Sequence, residues 1–173
     1  MGAKILDFTK ILIDGGILSL AFLVTVAILG ITKPRLLLNK EDVPADILAA
    51  VPPKTEAEKK QAILAVIPLM LILTAGTLYS TYTFYLQSQA GFLTLFLHAL
   101  IILVMISGSD LVIMDWLILN TWTPKILVFP GTEGFAGYKD YGFHGRAHLK
   151  AAPLLLLGAA ISAGLTVLIS MIV

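Results

Sequence analysis

The sequence predicts an all-α integral membrane protein: one transmembrane domain, 1–173, of four transmembrane helices with two structured cytoplasmic loops. Three observations carry this expectation. Only 13% of the residues are charged and 58% are hydrophobic, against about 25% charged in an ordinary soluble domain. Four segments reach the roughly 20 mainly apolar residues that an α-helix needs to cross a bilayer. The basic residues collect in two of the connections and leave the rest of the chain almost bare.

The first span is expected over 11–32. Its apolar run is longer than a typical signal-peptide core and has no small-x-small cleavage pattern before Lys33, so it reads as a retained helix. Met1-Gly2 opens like a myristoylation signal, but Leu6 stands where Ser or Thr is needed. Asp14, in "IDGG", complements the positive N-terminal end of the helix. The first loop, 33–61, carries "LLLNKEDVPADILAAVPP", which mixes leucines with charges as a short membrane-surface helix does. "TEAE", Thr55 to Glu58, is a capping box, and Glu56 and Lys60 are spaced for an i, i+4 pair.

The second span is expected over 62–86, kinked at Pro68, with Thr74, Thr77 and Thr81 as a polar stripe for helix contact. A short turn leads to the third span, 92–119. "YSTYTFY" and the pair Trp116 and Trp122 fit interfacial aromatic belts. In the second loop, 120–150, "KILVF" is strand-like and "PGTEG" a turn. Five glycines between 131 and 145 argue against a long continuous helix there. The fourth span, 152–173, pairs Gly158 with Ser162 and Ala160 with Gly164, small residues that allow close approach of another helix.

Charge sets the expected orientation. The two long loops hold ten basic residues, and only Lys4 and Lys10 lie elsewhere. The positive-inside rule then places both loops in the cytoplasm and both termini outside, with the plasma membrane as the expected location. A net charge of +1 gives no footprint for nucleic acid. The absence of cysteine removes iron–sulfur clusters and thiolate sites. A single intramembrane histidine, His98, disfavours bis-histidine haem; its plain reading is a neutral ring hydrogen-bonded between helices, and its sharper one a proton relay.

Candidate functional residues gather at the predicted cytoplasmic face. Asp110, Asp115, Asp140 and Arg146 are expected to line a polar pocket, with carboxylates to hold a cation and a guanidinium to grip a phosphate. Asp140, His144 and His148 are spaced to share one helical face and could bind a divalent metal, the cofactor being otherwise unknown; the plainer reading is that the histidines, with Lys139, Arg146 and Lys150, meet lipid phosphates at the membrane surface. At 100° per residue Asp110 and Asp115 lie about 140° apart, so a straight α-helix would separate them; "SGSD", Ser107 to Asp110, could bend or unwind it.

Three functions fit these residues. The first is a membrane-embedded subunit or binding component, packing through its fourth span against a membrane-protein partner or a second copy, with the lipid bilayer as its surroundings. The second is a metal-dependent membrane enzyme acting on a phosphorylated lipid or prenyl substrate. The third is a small oligomeric ion or proton conduit using His98 and Asp110.

Overall fold

The computed structural model describes residues 6–172. Met1, Gly2 and Lys4, which carry the lipidation reading and part of the charge count, lie outside them. The described residues are helical with no strand. Four helices are long and apolar enough to cross a membrane. These are α1 (Phe8–Thr32), α3 (Glu56–Ser88), α4 (Phe92–Ser109) with its continuation Asp110–Trp122, and α5 (Tyr141–Ser170); a short α2 (Ala45–Ala50) lies in the first loop. The chain divides into two compact units. One comprises Met1–Ala21, Met70–Gly108 and Ala151–Val173, the other Phe22–Leu69 and Ser109–Lys150.

In the first unit the helix ends follow local chemistry. Asp7 caps α1, its carboxylate accepting the Lys10 backbone N–H at 3.0 Å. Asp14, two turns further on, bonds to Lys10 and to Ser80 of α3 instead of serving the helix terminus. Phe84, Leu95 and Ala163 form a buried cluster edged by Tyr85, Phe96 and Val167. Small residues let the helices approach: Gly76 backs onto Leu18, and Gly158 onto Leu103. Of the small-residue stripe on α5, Ala159, Ser162 and Ala163 are buried within the chain, whereas Gly164 faces open space. Thr77 and Thr81 are buried on α3 and Thr74 is exposed. Leu12, Ile17, Leu71, Leu93, Leu154 and Leu168 are exposed, an apolar exterior that suits lipid.

The second unit is built around the loops. Thr55 and Glu58 form the reciprocal capping box at the start of α3. Glu58 also receives both Arg35 Nε and Nη2, while Nη2 reaches the carbonyls of Pro52 and Pro53. This clamp ties the 3₁₀ turn Pro34–Leu37 to α3. Glu56 pairs with Lys59, 2.7 Å away, and not with Lys60. Leu38, Val43, Ile47 and Tyr138 form a buried cluster with Leu48, Val128, Phe129 and Phe135 around it. α2 therefore buries Ile47 against the second loop, an anchorage that the surface-helix reading did not include.

Two local expectations for the second loop are corrected. "KILVF" contains the 3₁₀ turn Lys125–Leu127 and forms no strand, because no partner strand exists among the described residues for it to pair with. The glycine-rich stretch from Tyr141 onward is helical: α5 starts at Tyr141 and runs through Gly142, Gly145 and Pro153. Each interior glycine costs about 1 kcal/mol against alanine, and tertiary anchors at the start of the helix offset this. Asp140 Oδ1 accepts the Phe143 N–H at 2.8 Å, and Trp116 Nε1 donates to the Tyr141 carbonyl at 3.1 Å. The "PGTEG" turn forms, with Gly131 and Gly134 at φ of +83° and +81°, where other residues are strained.

Candidate metal centre

The centre rests on a change of helical pitch. Immediately after Ser107-Gly108-Ser109, poor helix formers, the helix widens and continues as a π-helix from Asp110 to Trp122. At its end the Thr123 N–H donates to the Ile118 carbonyl, five residues back, at 2.8 Å. A helix with i to i+5 hydrogen bonds turns less per residue than an α-helix, so residues five apart are separated by a smaller angle than in an α-helix. Asp110, Asp115 and Asn120 thus form one stripe, and the angular separation expected of an α-helix does not apply.

The π segment is held at its C-terminal end. Lys139 Nζ donates to the carbonyls of Asn120 and Thr121, at 2.7 and 3.2 Å, and to Thr123 Oγ1 at 2.7 Å. It thereby satisfies carbonyls that a helix terminus leaves bare. Buried Asn120 donates Nδ2 to the Tyr138 carbonyl at 2.9 Å. The Tyr138 hydroxyl accepts the Phe129 N–H at 3.0 Å and lies 2.8 Å from Thr132 Oγ1. Beside it, Asp46 Oδ2 accepts the Gly137 N–H at 2.9 Å. A Cβ at position 137 would collide with that carboxylate and with Pro44, so glycine is required for the close approach.

Against the stripe stands the first part of α5, where His144 and His148, four residues apart, face the same way. Asp115 takes both. Its Oδ1 lies 3.3 Å from His144 Nδ1, and its Oδ2 lies 3.1 Å from His148 Nε2. Asp110 Oδ2 lies 3.8 Å from the same His148 nitrogen. Single donor atoms of Asp110, Asp115 and His148 all fall within 4.8 Å of one another. His144 is buried and meets the edge of Phe143, ring centroids 5.2 Å apart. Asp110, Asp115 and His148 are partly buried.

Two of these spacings would also suit donors that share one ion. Donors about 2.1 Å from a tetrahedral ion lie roughly 3.4 Å from each other, and the measured 3.1 and 3.8 Å bracket that value. An imidazole with two carboxylates suits zinc and other divalent first-row ions. His144, bonded to the far oxygen of Asp115, orients that carboxylate as an outer histidine–carboxylate contact does at metal sites. Three protein donors would leave a coordination position for water or substrate on a bound ion.

Asp42 adds charge to the same region. Asn39 Nδ2 donates to its Oδ2 at 2.9 Å. The carboxyl is solvent-accessible, yet the protein packed around it pushes its pKa above the ordinary value. The negative charges of Asp115 and Glu41 add to that rise, and the Asn39 amide and His144 oppose it.

Of the residues expected to act together, Asp110, Asp115, His144 and His148 converge. Asp140 and Arg146 do not join them: Asp140 caps α5, and its Oδ2 is 3.5 Å from Arg146 Nη2, both side chains being exposed. Asp140 precedes the first helical residue, so the shared face expected of Asp140, His144 and His148 begins only after it. His98 belongs to the other unit. Sequence reasoning missed Asp42, Asn120 and Tyr138, and it read Lys139 as a lipid-phosphate contact where the side chain instead closes the helix end; only Asn120, five residues after Asp115, carried a signal, and that signal needs π geometry to be seen. No protein-family model, curated protein or solved structure matches the chain.

Proposed function

We propose that this is an integral membrane protein that binds one divalent transition-metal ion at Asp110, Asp115 and His148, with His144 orienting Asp115. The observation that carries the reading is the convergence of three donor atoms within 4.8 Å. They come from a π segment and a separate helix, at distances suited to one ion. Four long apolar helices with apolar exteriors support residence in a bilayer. The ten basic residues of the two long loops support a cytoplasmic location for those loops and hence for the centre.

Closed four-ligand sites are typical of structural zinc, whereas three protein ligands and an open position are typical of centres that polarise a bound water or substrate. This favours a metal-dependent membrane enzyme over a purely structural ion. Arg146 is engaged with Asp140, so the phosphate-gripping role expected of it receives no support and the substrate is left as a ligand for the open position.

The test is a calorimetric titration of chelator-treated, full-length protein with Zn²⁺ in detergent. One equivalent is expected to bind to wild type and none to Asp115→Asn or His148→Ala. Absence of saturable binding to wild type, or equal binding by both variants, would sink the reading.

A further inference from the structure

A second polar chain lies in the unit formed by Met1–Ala21, Met70–Gly108 and Ala151–Val173, and none of its residues belongs to the metal centre. His98 of α4 is fully buried and lies face to face with Phe84 of α3, ring centroids 4.6 Å apart and planes 4° from parallel. Its Nε2 is 3.0 Å from Ser80 Oγ. Ser80 Oγ is 2.6 Å from Asp14 Oδ2, and Lys10 Nζ donates to the same oxygen at 2.7 Å. Three helices thus supply one continuous hydrogen-bonded line. The outer end is accessible and the inner end is buried: the Lys10 and Asp14 side chains are 18% and 25% exposed, whereas Ser80 is 1% and His98 0% exposed.

Counting protons assigns the direction of each bond. An ionised carboxylate, as Asp14 is beside Lys10, only accepts, and a serine has one hydroxyl proton to give. Ser80 gives it to Asp14. Its oxygen is then the acceptor for His98, so Nε2 carries the ring proton and Nδ1 is a bare lone pair. That Nδ1 has no hydrogen-bond partner among the described residues, although buried polar atoms are as a rule paired. The inner end of the line is therefore a basic nitrogen. The charged groups within electrostatic reach of this ring are Asp7, Lys10 and Asp14; α3 presents Ser80 and Phe84 to it.

We propose that Asp14, Ser80 and His98 form a proton relay between an accessible carboxylate and a buried imidazole. When a proton donated by water binds Nδ1, the Nε2 proton passes to Ser80 Oγ as the Ser80 proton passes to Asp14 Oδ2. One proton has entered, one rests on Asp14, and the imidazole is again neutral in its other tautomer. The reverse sequence carries a proton inward from Asp14 and restores the starting tautomer as Nδ1 releases its own. Lys10 holds Asp14 in the ionised form that accepts the proton. The relay needs the Ser80 hydroxyl, since no other atom joins the two titratable groups in the line.

The test is ¹⁵N NMR of full-length protein in lipid nanodiscs with ¹⁵N-labelled histidine. The chain has three histidines, and His98→Phe identifies the buried ring by its absence. The Nε2–H tautomer is expected, with its proton exchanging with water despite complete burial. Ser80→Ala is expected to slow that exchange about tenfold or more, and Ser80→Thr, which keeps the hydroxyl, to leave it near wild type. An Nδ1–H tautomer in wild type, which can be read without any Ser80 variant, would overturn the proposal. So would exchange that Ser80→Ala leaves unchanged.

Discussion

Asp115 is the residue through which the two histidines act together: one oxygen faces His144 and the other His148. Removing either histidine should therefore have a different consequence. In the proposed centre His148 is a direct donor, and its loss should remove the ion. His144 would hold the carboxylate that donates, and losses of such outer contacts weaken metal binding by about 10–100-fold. His144→Ala should lower Zn²⁺ affinity within that range and keep a stoichiometry of one, as read by competition with a chromophoric chelator. Unchanged affinity would remove His144 from the account. At this scale much was legible in the sequence. Asp110, Asp115, His144 and His148 are ionisable residues in an otherwise apolar chain, and such residues are costly to bury unless partnered. Asp42 and Lys139 were not legible, because a loop acid and a loop lysine look the same whether they serve solvent or a helix end.

The π segment Asp110–Trp122 is the element that makes the centre possible. Its stripe of residues five apart brings Asp110 and Asp115 to one face, and Lys139 closes its open carbonyls. This geometry gives a test of the element. Asp110→Leu should weaken Zn²⁺ binding, read by competition with a chromophoric chelator, because the π segment is what brings that carboxylate alongside Asp115 and His148. Unchanged affinity would remove Asp110 from the proposed centre. The pitch could not be read beforehand because hydrophobic patterning assumes 3.6 residues per turn. The helical start of α5 was hidden for another reason: glycine propensity disfavours it, and the Asp140 cap and the Trp116 contact that outweigh propensity come from elsewhere in the chain.

At the scale of the whole molecule, four apolar helices and their order were legible, since length and composition suffice for both. The division into two compact units was not, because each long helix reads as one uninterrupted apolar run. The proposed orientation has its own check, helped by a chain without native cysteine. Lys40→Cys and Glu133→Cys should react with a membrane-impermeant maleimide only in inverted vesicles, and Gln89→Cys only in intact cells. The opposite pattern would reverse the topology and move the metal centre to the other side.

The most direct test of the central claim is the position of the ion itself. Crystals of the zinc-loaded, full-length protein, measured on either side of the zinc absorption edge, should show one anomalous peak about 2.0–2.2 Å from an oxygen of Asp110, an oxygen of Asp115 and Nε2 of His148. A peak held by other residues, or none between these three at saturating zinc, would contradict it.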